Sequence, residues 1–106
     1  MTRLADHQCK PAVARLSGDE VAALLAELRD WRIENGLLTR TFAFANYHET
    51  MAFVNAVAWI AHRQDHHPDL AVGYNGCRVD WSTHSVGGLS ENDFICAARV
   101  DALLTA

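Results

Sequence analysis

Residues able to do acid–base chemistry concentrate in the second half of this 106-residue chain. The run Asp65-His66-His67-Pro68 is followed by Ser82-Thr83-His84, so three of the six histidines fall within nineteen positions. Proline ends a helix and disfavours the α conformation in the residue before it. We therefore expect His66 and His67 where a helix gives way to extended chain, a rigid place for a catalytic imidazole. Surface histidines beside a turn are the alternative.

A histidine cluster of this kind predicts either a metal site or acid–base catalysis. His62 and His66 are one helical turn apart and could chelate zinc, but Arg63 stands where zinc-protease motifs carry a Glu. An imidazole with an ordinary pKa of about 6.5 can accept and donate protons near neutrality. Ser82 lies in no nucleophile elbow, and no glycine-rich phosphate loop is present. These observations favour proton transfer without a metal or cofactor.

Composition and charge indicate an ordinary globular domain. Half of the residues are hydrophobic, about a fifth are charged, and the net charge is -4 with a single lysine, Lys10, which argues against a nucleic-acid surface. Cys9, Cys77 and Cys96 are odd in number and far apart, unlike a disulfide framework or zinc knuckle, so we expect a reducing cytoplasm. No leader-like or membrane-length apolar segment is present, and we expect no membrane association.

Three helices and two hairpins are predicted around the histidines. Ser17 and Glu20 have capping-box spacing and predict a helix over 18–30, followed by strands over 31–35 and 37–45. A second helix, predicted to be the most buried, begins after Asn46 and ends at 64 or 65. Strands over 69–74 and 77–84 flank Asn75-Gly76, a strong two-residue turn, and the last helix opens at Ser90 with Asp93 in capping-box spacing.

This α-β-β-α-β-β-α order predicts an α+β fold, with a four-stranded antiparallel sheet and three helices on one face. We expect one domain over 1–106, in which residues 1–16 form a less ordered N-terminal extension. Pairing across the second hairpin brings His84 towards His67 and Pro68, so the imidazoles can be spatial neighbours.

The same residues resemble the pterin-4a-carbinolamine dehydratases. The resemblance is strong and without gaps in the second half and weaker upstream, through Trp31, Phe42 and Phe44. Leu70 departs from the pattern, since an aromatic residue usually follows the proline by two positions; this bears on the pocket wall and substrate preference. The matching motifs are Asp65-His66-His67-Pro68, Tyr74-Asn75, Ser82-Thr83-His84 and Gly88-Leu89-Ser90-Glu91 with Asp93.

The resemblance implies dehydration of 4a-hydroxytetrahydrobiopterin, or a related pterin, to quinonoid dihydropterin and water, with no metal or cofactor. This carbinolamine is left when an aromatic amino acid hydroxylase has used its cofactor. Carried over by position, the catalytic residues would be His66, His67, His84 and Asp93. The substrate-binding residues would be Asp65, His66, His67, Trp81, Ser82, Thr83 and His84. Two alternatives stay open: Asp93 as a helix cap only, and a Trp81 ring that belongs to the core.

The resemblance also implies a homodimer or homotetramer and a functional link to a hydroxylase, with no direct nucleic-acid partner. Some proteins of this fold instead act as dimerisation cofactors of a homeodomain transcription factor or as assembly factors for a carbon-fixing enzyme. The latter type can lack the dehydratase residues. The complete histidine set here favours the enzyme over this protein-binding alternative.

Overall fold

The computed structural model describes residues 3–104. Its helices and strands follow one another in the predicted α-β-β-α-β-β-α order. The four strands form one antiparallel sheet with the order β1-β2-β4-β3, so the predicted α+β architecture is confirmed. None of the helices within 3–104 combines the length and apolar character needed to cross a membrane. The elements are α1 (Gly18–Leu25), β1 (Arg32–Glu34), β2 (Leu37–Ala43), α2 (Tyr47–Gln64), β3 (Asp69–Val72), β4 (Gly76–Trp81) and α3 (Glu91–Ala102).

The two faces of the sheet differ in chemistry. On the helix-covered face Leu38 of β2 lies opposite Trp81 of β4, and both are fully buried. On the other face Thr39 lies opposite Asp80, and its hydroxyl donates to the Asp80 carboxylate at 2.5 Å. Arg78 donates to the same carboxylate oxygen at 2.9 Å. This strand alternation directs the helices to one face and leaves a polar network on the other.

Helix α3, rather than α2, is the most buried helix, so the expectation for α2 is wrong. Within α2 only Thr50, Phe53 and Val57 are buried, whereas α3 buries every residue from 92 to 97 as well as Val100. The reason is that α3 packs against α2, β4 and the turn at Leu4–Asp6 together. A residue placed in α3 therefore lies at the centre of the core.

Helix α1 ends five residues before its predicted end at Asp30. Leu28 N–H bonds to the Leu25 carbonyl at 3.0 Å in a tight turn, and Asp30 takes the left-handed conformation with φ 65°. This reversal lets Trp31 enter the core, where its indole N–H donates to the Asp101 carboxylate at 2.9 Å. Burial of Trp31 thus accounts for the early end of a helix whose sequence could have continued.

The N-terminal segment (residues 3–16) makes more contacts than its polar sequence predicts. Leu4 is part of the core, and Arg99 of α3 donates to the His7 carbonyl at 3.0 Å. Lys10 and Asn92 exchange two bonds, in which the Lys10 N–H donates to Asn92 Oδ1 at 3.0 Å and the Asn92 amide donates to the Lys10 carbonyl at 2.8 Å. Residues 1 and 2 of the expected less ordered extension lie outside the described residues.

The first hairpin turns at the predicted break around Gly36, whereas the second uses a different turn from the one predicted. Asn35 and Gly36 connect β1 to β2 with φ values of 52° and 76°, the pattern of a type I′ turn. In the second hairpin Gly73 N–H donates to the Gly76 carbonyl at 2.8 Å, so the central pair is Tyr74-Asn75 and the predicted turn at Asn75-Gly76 is wrong. Gly76 starts β4 instead.

We predict that Gly36→Ala lowers the free energy of unfolding by about 1 kcal/mol, because alanine is strained at positive φ. A Cβ at Gly36 would meet no atom within 4 Å, so the backbone conformation alone causes the loss. Gly18→Ala is the matched control, since a Cβ there also meets nothing and its φ is not positive. Urea unfolding of both variants checks this; equal stabilities would contradict the type I′ assignment.

Candidate active site

The end of α2 positions His66. Asp65 caps the helix in the left-handed conformation, with φ 50° and ψ 45°, which an aspartate tolerates better than most residues. The His66 N–H then turns back to the Ala61 carbonyl at 3.1 Å. With the helix ending at Gln64 and β3 beginning at Asp69, His66 and His67 lie between helix and strand, as predicted.

Two contacts fix the His66 ring. Its Nε2 atom lies 2.6 Å from Asp93 Oδ1, and its plane stacks on the Trp81 indole with a centroid distance of 5.5 Å and an angle of 15°. Only 13% of the side chain is exposed. The stack fixes the plane of the imidazole and the carboxylate fixes its rotation within that plane, so the ring has one orientation.

Among the described residues, Asp93 holds three partners with its two oxygens, of which Oδ1 contacts only His66. It is fully buried at the start of α3, where Oδ2 accepts from the Ser90 N–H at 3.0 Å, as in a capping box. Oδ2 also accepts from the Thr83 hydroxyl at 2.8 Å, and the Ser90 hydroxyl lies 2.7 Å from the Thr83 oxygen. Because Thr83 has one hydroxyl proton, Ser90 must donate to Thr83. Helix capping and contact with His66 therefore coexist, and neither excludes the other.

This carboxylate also sets the proton affinity of the ring. The hydrogen bond to Asp93 raises the pKa of His66 above its ordinary value, although partial burial of the ring acts in the opposite direction. An ionised carboxylate can only accept, so Nε2 carries the hydrogen in the neutral ring. Within residues 3–104, Nδ1 has no hydrogen-bond partner and is the nitrogen left for proton transfer.

His66 borders a cleft of about 370 Å³, called here the His66 cleft. Asp65 and Thr83, both predicted site residues, line it as well. Its other side is built from residues that the sequence did not single out for a site: Cys9 and Lys10 of the N-terminal segment and Asn92 of α3. These residues meet His66 only through the tertiary fold, and no local motif marks them.

His84 lies in a neighbouring cleft of about 490 Å³, called here the His84 cleft. Strand β4 ends at Trp81, so the prediction that it continues to His84 is wrong; His84 instead begins a 3₁₀ turn over His84–Val86. The loop around this turn is closed by the Thr83 N–H, which donates to the Gly88 carbonyl at 2.9 Å. Thr83 lines both clefts and therefore lies between the two histidines. Ser82 lines only the His84 cleft.

The remaining predicted site residues differ in exposure. His67 is exposed and lines neither cleft, whereas Trp81 is fully buried and contributes a platform beneath His66. The Trp81 indole N–H is a buried donor without a partner in the described part of the chain.

Residues 3–104 contain no group of three or more His, Cys, Asp or Glu side chains placed to hold a metal ion. His62 instead packs beside the Trp59 ring at 5.5 Å.

Comparison with known proteins identifies relatives over nearly the whole chain. A protein from Nitrosomonas eutropha is 57% identical over 105 residues, covering 95% of this chain and 93% of the relative. One from Nitrosospira multiformis is 55% identical over 103 residues, covering 94% and 91%. Both carry the name "Putative pterin-4-alpha-carbinolamine dehydratase".

Two solved structures share the fold at 30% sequence identity. A transcriptional coactivator/pterin dehydratase from Brucella melitensis superposes with a TM-score of 0.82, covering 86% of this chain and 99% of that one. A pterin dehydratase-like protein identified as a RuBisCO assembly factor in the alpha-carboxysome has a TM-score of 0.63, covering 74% and 93%. The family model described as pterin 4 alpha carbinolamine dehydratase matches residues 14–103. The chain therefore belongs to the pterin 4 alpha carbinolamine dehydratase family.

Proposed function

We propose that this protein dehydrates 4a-hydroxytetrahydrobiopterin, or a related 4a-hydroxytetrahydropterin, to the quinonoid dihydropterin and water. The reaction removes a proton from the ring nitrogen beside the 4a carbon, forms a carbon–nitrogen double bond and releases the protonated 4a-hydroxyl as water. The observation that carries the proposal is the His66–Asp93 pair at the edge of the His66 cleft. Family membership supports the same reaction class.

His66 is suited to act as the general base. In the neutral ring Nε2–H is held by Asp93, which leaves the lone pair of Nδ1 to accept the substrate proton. The Asp93 carboxylate then stabilises the imidazolium that forms, for the same reason that it raises the pKa of His66. After each turnover His66 returns this proton to solvent, which regenerates the neutral ring.

His84 is proposed to deliver the proton to the departing hydroxyl. It is exposed and borders the cleft adjacent to that of His66, with Thr83 between them, so a flat ring spanning both clefts would have a histidine on each side. His67, one residue from His66, is proposed to orient the pterin. Asp65, Ser82 and Thr83 supply polar contacts, while Trp81 supports the His66 ring from below.

The proposed physiological role is recycling of the pterin cofactor of an aromatic amino acid hydroxylase in the cytoplasm. We further propose a homodimer or homotetramer. The outer edge of β3 has no partner strand within residues 3–104, and such an edge can pair with a second copy. Phe94 of α3 is fully buried, so its ring is not available to such an interface.

A protein-binding role is the second candidate function. Trp59 on α2 is 62% exposed and Tyr74 at the second hairpin is 66% exposed, and large exposed aromatic side chains are common where proteins bind one another. The two solved structures that share the fold are named as a transcriptional coactivator/pterin dehydratase and as a RuBisCO assembly factor. Substitution of Trp59 separates the two candidates, because it lies in neither cleft and should leave turnover unchanged.

We predict that His66→Ala and His84→Ala each lower the catalysed dehydration rate by roughly a hundredfold or more, the usual contribution of a general acid or base. The rate is followed by ultraviolet absorbance with enzymatically generated 4a-hydroxytetrahydropterin. His48→Ala is the matched control, because His48 is exposed on the first turn of α2, away from both clefts. Full activity in both site variants would refute the mechanism.

We predict that Asp93→Asn lowers the pKa of His66 and the dehydration rate together. The Asn oxygen would keep accepting from Ser90 and Thr83, which turns its NH₂ group towards Nε2 and forces the hydrogen onto Nδ1. The ring then presents the wrong tautomer, and the rate should fall roughly a hundredfold. Histidine ring signals in an NMR pH titration report the pKa, and Asp69→Asn, on an exposed carboxylate, is the control.

The pH dependence of stability gives an independent prediction. Because folding raises the pKa of His66, its pairing with Asp93 stabilises the fold fully below the unfolded value of about 6.5. That stabilisation is lost as pH rises through the folded-state pKa. The difference in unfolding free energy between wild type and His66→Gln should therefore be larger at pH 6 than at pH 9. A difference that grows with pH would contradict the raised pKa.

A further inference from the structure

Cys9 and Cys96 form a thiol pair at the wall of the His66 cleft. Their sulfur atoms lie 3.4 Å apart although 87 positions separate them in the sequence. Cys96 is fully buried on α3, whereas Cys9 is half-buried in the N-terminal segment and lines the cleft. A small polar oxidant can therefore reach one thiol of the pair from solvent.

Hydrogen bonds to Gln64 and Asn92 hold Cys9 against this partner. The Cys9 N–H donates to Gln64 Oε1 at 2.8 Å, and its sulfur lies 3.6 Å from the Asn92 carbonyl. A disulfide requires a sulfur–sulfur distance of about 2.05 Å, so the two atoms must approach by a further ~1.4 Å. Cys9 belongs to neither a helix nor a strand, and a small displacement of its segment can supply this movement.

The two thiols differ in acidity. Disulfide formation requires one thiol to react first as a thiolate, and that thiol is Cys9. The contact with Cys96 lowers the pKa of the Cys9 thiol, and the positive charge of His66 acts in the same direction. The same contact raises the pKa of Cys96, and burial adds to the rise. Cys9 is therefore the nucleophile towards an oxidant, and Cys96 keeps its proton until Cys9 has reacted.

We propose that Cys9 and Cys96 are a modification site that a hydroperoxide converts to an intrachain disulfide. The Cys9 thiolate attacks a peroxide oxygen, which gives a sulfenic acid and, with hydrogen peroxide, releases one water after proton uptake. The Cys96 sulfur then attacks the Cys9 sulfur, the S–OH bond breaks and a second water leaves. Two thiols and one hydrogen peroxide thus give one disulfide and two waters.

The disulfide would fasten the N-terminal segment to α3. Without it, the segment beside the His66 cleft is held by hydrogen bonds such as those between Lys10 and Asn92. A bond between positions 9 and 96 also closes most of the chain into a loop, and cross-links across long loops restrict the unfolded state most. Oxidation should therefore raise the melting temperature, by at least about 5 °C. This proposal does not depend on the pterin reaction.

The test is oxidation of the reduced full chain with hydrogen peroxide, followed by alkylation and trypsin digestion without reduction. The three cysteines fall in separate tryptic peptides, 4–15, 64–78 and 79–99, since trypsin does not cleave between Lys10 and Pro11. We expect peptides 4–15 and 79–99 joined, two hydrogens lighter than their sum. Peptide 64–78 should carry alkylated Cys77, which is buried with a raised pKa.

Two variants serve as controls. Cys77→Ser should give the same linked peptides, whereas Cys9→Ser should lose both the link and the oxidation-dependent rise in melting temperature. Any of three results would overturn the proposal: sulfinic acid on Cys9 with Cys96 still alkylated, links between chains, or a linked protein that melts no higher than its reduced form.

Discussion

Much of the second half of the chain depends on satisfying one buried carboxylate, that of Asp93. A fully buried charge is costly unless hydrogen bonds replace its water, and three groups from separate segments do so here: the His66 ring, the Thr83 hydroxyl and the Ser90 N–H. The same contacts hold together the end of α2, the loop after β4 and the start of α3. Structure and proposed chemistry thus share a single set of hydrogen bonds.

Local signals in the sequence were enough for the order of elements and for most helix starts. Ser17, Asn46 and Ser90 each occupy the predicted N-cap, because capping depends only on residues within one helical turn. Turn positions were predicted less well. The Asn75-Gly76 pair has the composition of a type I′ turn, yet a Cβ on Gly76 would lie 3.2 Å from the Phe42 carbonyl of β2. Close strand packing, which no local pattern shows, explains this glycine.

The candidate site was predictable only in part, because some of its residues meet through tertiary contacts that no local pattern shows. The spacing of His66, Thr83 and Asp93 follows from the fold family that the motifs resemble, and the structure brings these three together. It places His84 in an adjoining cleft after a strand that ends early. The contribution of Cys9 to the cleft wall depends on contacts across more than fifty positions, which composition and periodicity do not encode.

The most direct measurement of the central claim is the tautomer of His66 and its response to a pterin. A ¹⁵N–¹H correlation spectrum of histidine-labelled protein above the pKa of His66 distinguishes hydrogen on Nε2 from hydrogen on Nδ1. We predict the Nε2–H form, held by Asp93, with the Nδ1 signal shifting on titration with a reduced pterin that lacks the 4a-hydroxyl. An Nδ1–H ring, or ring signals that do not move at saturating pterin, would contradict the assignment of His66 as an Asp93-oriented base.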